Sequence, residues 1–211
     1  MRFADRSDAG RRLAAELETL RGRDVLVLGL PRGGVPVACE IARALEAPLD
    51  VFLVRKLGVP GHEELGFGAI ASGGVRVLDP RVVRAARVDA DTIDAVAERE
   101  RRELERRESR YRGDRPPLDP SGRTVVLVDD GVATGSTMRA AIQALRDSGA
   151  VRIVVAVPVG PPETLEELAR LADEVVCLHA PAAFRAVGAF YDDFAQVSDE
   201  EVCALLDAER V

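Results

Sequence analysis

Asp129 and Asp130 stand together at the end of five strand-forming residues, 124–128, and small residues follow them: Gly131, Ala133, Thr134, Gly135, Ser136 and Thr137. Paired carboxylates are acceptors suited to the hydroxyl groups of a sugar. The small residues leave backbone N–H groups and hydroxyls free to surround an anion, and a helical pattern opening near Thr134 puts a helix N-terminus behind them. Acceptors for hydroxyls beside a cradle for phosphate define one ligand class, a sugar phosphate. The loop is too short for the nucleotide-binding pattern G-x-x-x-x-G-K-[ST] and lacks its lysine. No G-x-S-x-G nucleophile elbow occurs in the chain.

A second group of residues could carry charge to the same place. Arg32, Gly33 and Gly34 follow an apolar run over 24–30. The glycines serve either as a plain turn or as a point where backbone amides approach another phosphate beside the Arg32 cation. Their spacing does not match G-x-G-x-x-G, so a dinucleotide cofactor is not indicated. Arg55 and Lys56 follow an expected strand over 49–54 and share the rim of the acid pair if the strands are parallel. The stretch 57–68, interrupted by glycine and proline, reads as a mobile loop or lid. It carries Glu63 and Glu64, which only their position makes candidates for a general base. Further on, Phe184, Phe190, Tyr191 and Phe194 gather next to Asp192 and Asp193. They form either a C-terminal cap on the sheet or a small hood, with Phe184, Phe190, Tyr191 and Asp192 offered to a flat heterocycle.

The elements that must position these groups alternate. A helix is expected over 7–20, with Ser7 or Asp8 as N-cap, then a buried strand over 24–30 and a helix to about Leu45. The strand over 49–54 and the loop lead to a hairpin turning at Gly73 and Gly74. A charged helix over 88–112 follows, with Glu98 and Arg102, Glu103 and Arg107, and Glu108 and Arg112 each four apart. Its interleaved charges read as a solvated helix and would cancel much of a field directed at nucleic acid. Pro116, Pro117 and Pro120 end it. After the acid-pair loop come a helix ending near Gly149, a strand over 151–157, a helix over 163–171 and a strand over 174–178. This order predicts an α/β fold with a mainly parallel twisted sheet flanked by helices. In such sheets ligands bind beyond the carboxyl ends of the strands, where the acid pair falls. One domain spanning 1–211 is expected, with its core over about 22–178, the inserted helix at 88–112 and the hood over about 179–211.

With 211 residues, 47% hydrophobic, 31% charged and a net charge of -7, the chain has the composition of an ordinary soluble protein rather than a generic nucleic-acid binder. No apolar run is long enough to span a membrane, and the first residues lack a signal-peptide core, so a cytoplasmic protein is expected. Cys39, Cys177 and Cys203 read as buried free thiols, and His62 and His179 lack metal-ligand spacing.

Taken together, Val125 to Thr137 resembles the phosphoribosyl-pyrophosphate (PRPP) signature of type I phosphoribosyltransferases. Pro31-Arg-Gly-Gly34 lies where that family has its pyrophosphate loop, Arg55-Lys56 where its flexible loop begins, and the tail where it has a hood. Arg55 to Gly61 is similar to the adenine phosphoribosyltransferases, and the long helix resembles a bacterial subgroup whose acceptor the resemblance does not supply. The resemblance implies displacement of pyrophosphate from PRPP by a nitrogen nucleophile. Asp129 and Asp130 would hold the ribose hydroxyls and, indirectly, Mg²⁺. Ala133, Thr134, Gly135, Ser136 and Thr137 would bind the 5-phosphate, and Arg32, Gly33, Gly34, Arg55 and Lys56 the pyrophosphate. A homodimer is also implied. Many 6-oxopurine members carry an aspartate at the position of Ala133 and a lysine within the stretch corresponding to 158–162, and neither is present here. The alternative is a PRPP-binding sensor without catalysis. The roughly 23 residues before the first strand are too few for a winged-helix DNA-binding domain.

Overall fold

A computed structural model describes residues 1–209. Along the chain, α1 (Arg6–Glu16) and a 3-10 turn (Glu18–Leu20) precede β1 (Val25–Gly29), α2 (Gly34–Leu45) and β2 (Leu49–Val51). Then come β3 (Val54–Val59), β4 (His62–Ala71), β5 (Arg76–Leu78), α3 (Pro80–Ala85) and α4 (Ala90–Arg112). The chain continues with β6 (Thr124–Val128), α5 (Ser136–Asp147), β7 (Arg152–Val159), α6 (Pro162–Ala169), β8 (Glu174–His179) and α7 (Asp199–Ala208). Five strands form a parallel sheet in the order β2-β1-β6-β7-β8, and β3-β4-β5 form a separate antiparallel sheet.

The central strands β1, β6 and β7 are nearly continuous apolar runs because both of their faces are covered. Leu26, Leu28, Val125 and Leu127 point to one side, where Met138, Ile142 and Leu145 of α5 meet them. Their neighbours Val25, Val27, Val126 and Val128 point to the other, against Leu13 and Leu17 of α1 and Val37, Ile41 and Leu45 of α2. The alternation of side chains along a strand thus divides one run of sequence between two cores.

Four expectations need correction. The first helix begins one residue before Ser7, and its N-cap is Asp5, whose carboxylate accepts from Asp8 N at 2.7 Å. The apolar run over 49–54 is two strands: β2 stops at Val51, and Val54 starts the second sheet. Residues 57–68 form the two arms of a β-ribbon rather than an irregular lid, because Leu57, Phe67 and Ile70 bury their side chains in a third apolar cluster. Finally, α4 is not simply solvated. Ile93, Val96, Ala97, Leu104 and Tyr111 recur at helical spacing and pack into that same cluster. The three anticipated ion pairs do form, at 3.0, 2.9 and 3.1 Å. At its C-terminal end Arg112 is buried against Asp50 of β2, at 3.0 Å to both carboxylate oxygens.

The C-terminal helix α7 was not anticipated. Its signal was a capping box, Ser198 with Glu201, which is formed in the structure. Val202 and Leu206 join α7 to the cluster under α4. Among the described residues no helix is long and apolar enough to cross a membrane.

Candidate functional site

Strand β6 ends at Val128 in the middle of the parallel sheet, so Asp129 and Asp130 emerge at its carboxyl edge beside the end of β1. The chain leaves β1 through a cis Pro31–Arg32 peptide and enters α2 at Gly34. Here the two glycines prove to be positions of close approach. A Cβ on Gly33 would lie 2.0 Å from Asp130 Oδ2, and one on Gly34 would lie 2.6 Å from Val128 O and 2.9 Å from the Asp129 Cα. Neither has the positive φ of a turn glycine. The Arg32 loop and the acid pair therefore form one surface that tolerates no side chain between them.

Each acid has one oxygen fixed. Asp129 Oδ1 accepts from the backbone N–H of Asp130 at 2.9 Å. Asp130 Oδ2 accepts from Arg6 Nε at 2.8 Å, an ion pair in which both side chains are largely buried. The sequence reading missed Arg6, because nothing local marks a contact between residues 124 positions apart. Burial raises the pKa of both carboxyls, that of Asp129 well above the ordinary range with a further contribution from the Asp130 charge. Arg6 opposes the shift at both.

Beyond Asp130 the loop reaches α5 through Gly135, whose left-handed backbone (φ 70) provides the helix N-cap without a side-chain hydrogen bond. The first N–H groups of α5 are thus open to an anion, with Ser136 and Thr137 beside them. The loop itself is braced from outside: Thr164 Oγ1 donates to Ala133 O at 2.8 Å, and Arg139 donates to Thr134 O at 2.8 Å.

The predicted cations separate. Arg55 and Lys56 are successive on β3 and point to opposite faces. Arg55 turns to α4, where Glu100 Oε2 accepts from it at 2.8 Å and 2.5 Å. Lys56 is exposed, with no ion-pair partner among the described residues, and lines a cavity of about 580 Å³ together with Ser136 and Thr137. The structure therefore brings Lys56 beside Ser136 and Thr137 and turns Arg55 away toward α4. Arg32 lies 4.0 Å from Asp199 at the start of α7. Asp199 also accepts from Tyr111 at 2.6 Å and pairs with Arg110 at 2.6 Å. Glu63 and Glu64 are exposed on the ribbon. The N–H groups of Glu63 itself and of Gly61 hold the Glu63 carboxyl below its usual range, which disfavours a role as base.

The tail aromatics pack largely on one another. Phe184 stacks on Phe190 with ring centres 5.7 Å apart, and Tyr191 contacts Phe3 at 5.4 Å. Tyr191 is buried and donates to Asp130 O at 2.6 Å, while Asp192 pairs with Arg2 on the surface. Phe194 lies under the Arg6 guanidinium, 4.0 Å from ring centre to Cζ. The tail and α1 thus support the acid pair from behind.

Among the described residues no three His, Cys, Asp or Glu side chains gather as a metal cluster. Asp129 and Asp130 alone supply too few donors for a protein cage. Their hard carboxylate oxygens do fit Mg²⁺ that arrives with phosphate oxygens and water, the usual way this ion is held.

Residues 4–194 match the family model of the phosphoribosyl transferase domain. The chain is 55% identical over 205 residues, 97% of its length, to Rv0571c of Mycobacterium tuberculosis H37Rv, which is provisionally named a phosphoribosyl transferase. It spans about half of that relative, 46%. It is 35% identical over 130 residues to the bifunctional protein PyrR of Roseiflexus sp. RS-1, covering 60% of this chain and 50% of that one. The solved structure of TT1426 from Thermus thermophilus superposes with a TM-score of 0.88 at 50% identity, covering 98% of both chains. With the acid pair, the glycine loop and the open helix N-terminus joined on one sheet edge, the chain belongs to the phosphoribosyl transferase domain family.

Proposed function

We propose that this chain transfers the 5-phosphoribosyl group of PRPP to a nitrogenous acceptor and releases pyrophosphate. The observation that carries this reading is the packing of Gly33 and Gly34 directly against Asp130 and Asp129, on the same sheet edge as an uncapped α5 N-terminus. A ribose held by the acids then has its 5-phosphate side toward residues 133–137 and its pyrophosphate side toward Arg32. In the reaction the C1–O bond breaks and pyrophosphate leaves with the electron pair, a C1–N bond forms, and the acceptor nitrogen gives up its proton.

The chain's part is positioning and electrostatics. Asp129 and Asp130 orient the hydroxyls and place negative charge beside a sugar that becomes cationic. The Ala133 to Thr137 loop anchors the 5-phosphate. Arg32 and the Gly33 and Gly34 amides balance the charge of the leaving pyrophosphate, and Lys56, beside Ser136 and Thr137, adds positive charge to the phosphate side of the site. Mg²⁺ bound with the substrate would supply further neutralisation of the phosphate oxygens. Arg55, committed to Glu100, takes a supporting role in placing the ribbon that carries Lys56.

Pyrophosphate release across a panel of purine, pyrimidine and other nitrogenous acceptors, with PRPP and Mg²⁺, tests this reading. Release with at least one acceptor, abolished in Asp129→Asn/Asp130→Asn, is the expected result. A second reading, PRPP sensing without transfer, draws on the similarity to PyrR, whose name marks it as bifunctional. Magnesium-dependent PRPP binding with no release on any acceptor would favour it.

A further inference from the structure

The Arg32 side chain makes no hydrogen bond among the described residues, and its one ion-pair partner there is Asp199, with Arg32 Nη1 4.0 Å from Oδ1. That separation is too long for a hydrogen bond. Asp199 is already engaged at short range on both oxygens. Its Oδ1 accepts from the Tyr111 hydroxyl at 2.6 Å, and its Oδ2 pairs with Arg110 Nη1 at 2.6 Å. Arg32 and Tyr111 thus face the same carboxylate oxygen, and Tyr111 holds it.

Arg110 and Tyr111 come from the last turn of α4, and Asp199 opens α7. Tyr111 is buried in the apolar cluster that joins those helices, which fixes its hydroxyl, whereas the Arg32 side chain is 38% exposed. Burial, and then the bond to Asp199, pushes the Tyr111 pKa up to about 12, so it remains a donor at neutral pH. That same bond, together with the Arg110 charge, holds the Asp199 carboxyl below its usual range, so it remains an anionic acceptor.

We infer that Tyr111 and Asp199 are positioning residues for Arg32: Tyr111 occupies Asp199 Oδ1 and keeps that carboxylate from closing on the guanidinium, which stays beside the acid-pair loop, uncommitted and able to pass to an anionic ligand. Helices α4 and α7, which take no part in the transfer chemistry, thereby set how much of the Arg32 charge reaches the pyrophosphate. The identity of the ligand rests on the proposed function, whereas the competition for Oδ1 is a property of the chain alone. The two residues act in opposite directions. Without the Tyr111 hydroxyl, Oδ1 is open to a close ion pair with Arg32, and the cation is withheld. Without the Asp199 charge, Arg32 has no competing anion and is given up more readily.

The test is calorimetric binding of inorganic pyrophosphate with Mg²⁺ to native, Tyr111→Phe, Asp199→Asn and doubly substituted chains whose folding is checked by circular dichroism. Beside it, ¹⁵N NMR without ligand follows the Arg32 Nε–H group, assigned by its loss in Arg32→Lys. Tyr111→Phe is expected to bind pyrophosphate about twofold to fivefold more weakly, and Asp199→Asn more tightly by a similar factor, the scale of one partly exposed ion pair. Damage to the fold would instead weaken both. In the double variant the Tyr111→Phe effect should vanish, because the carboxylate it releases is gone. In the spectra Arg32 should be more ordered in Tyr111→Phe and less ordered in Asp199→Asn. Changes of the same sign in both single variants, a Tyr111→Phe effect that persists in the double variant, or unaltered Arg32 order in folded variants would each overturn the inference. If the native chain binds no pyrophosphate, the role given to Arg32 in the proposed function fails, and the spectra alone decide the competition at Asp199.

Discussion

At the level of single residues, the acid pair is held in a state that costs stability. A carboxyl whose pKa is raised in the fold favours folding most when protonated, and that contribution is lost as pH rises past the unfolded value toward the folded one. Asp129 and Asp130 are both raised, first by burial. Asp129→Asn should therefore melt a few degrees above the native chain at neutral pH, with the gap closing as pH falls and the native carboxyl is protonated in both states. Calorimetric melting across that range checks the sign. The same substitution should abolish function, the usual conflict between a charged site and a stable fold. Gly33→Ala acts by space rather than charge. With a Cβ 2.0 Å from Asp130 Oδ2, either the acid or the Arg32 loop must move. We expect a loss of about 1–3 kcal/mol in urea unfolding together with strongly weakened ligand binding. The placement of the acids, the glycines and the small-residue loop was legible in the sequence because strand end, loop and helix start are contiguous there. The Arg6 contact was not, since an ion pair across 124 positions leaves no local spacing.

At the level of elements, α4 and the ribbon behave as one attachment to the parallel sheet. Its firm points are Arg55 with Glu100 and, more deeply buried, Arg112 with Asp50. Asp50 also accepts from the backbone N–H groups of Val51 and Leu118, so the pair ties β2, the end of α4 and the proline segment together. Arg112→Ala leaves a buried carboxylate without its cation and should cost about 3–5 kcal/mol in urea unfolding. Glu98→Gln breaks exposed ion pairs on the opposite face and should leave the urea midpoint unchanged. The helix itself was evident from its charge spacing, but its buried stripe of Ile93, Val96, Ala97, Leu104 and Tyr111 is sparse among arginines and glutamates and was overlooked. The division of 49–54 between two sheets was hidden for a different reason. An apolar run reports burial, and residues 51–53 are buried straight through the passage from β2 to β3, so periodicity does not mark where the chain leaves one sheet for the other.

At the level of the molecule, two separate stretches converge on one sheet edge, the Arg32 loop and the loop from Asp129 to Thr137, and the ribbon brings Lys56 beside Ser136 and Thr137. Lys56 is exposed toward the cavity beside Ser136 and Thr137, so Lys56→Ala should lower the rate of pyrophosphate release while leaving the melting temperature unchanged. Helix α1 and the tail support the acid pair from behind, where Phe3 and Tyr191 form a bridge between the segment before α1 and the segment before α7. The overall α/β order could be anticipated because β1, β6 and β7 are each an apolar run followed by a helix. The support of the site from both ends could not, because it is made by side chains meeting only in the folded state. The most direct measurement of the central claim is titration calorimetry of the native chain with PRPP, with and without Mg²⁺, beside Asp129→Asn/Asp130→Asn. The account predicts magnesium-dependent binding by the native chain and its loss in the double variant. No binding by the native chain, or equal binding by the variant, would contradict it.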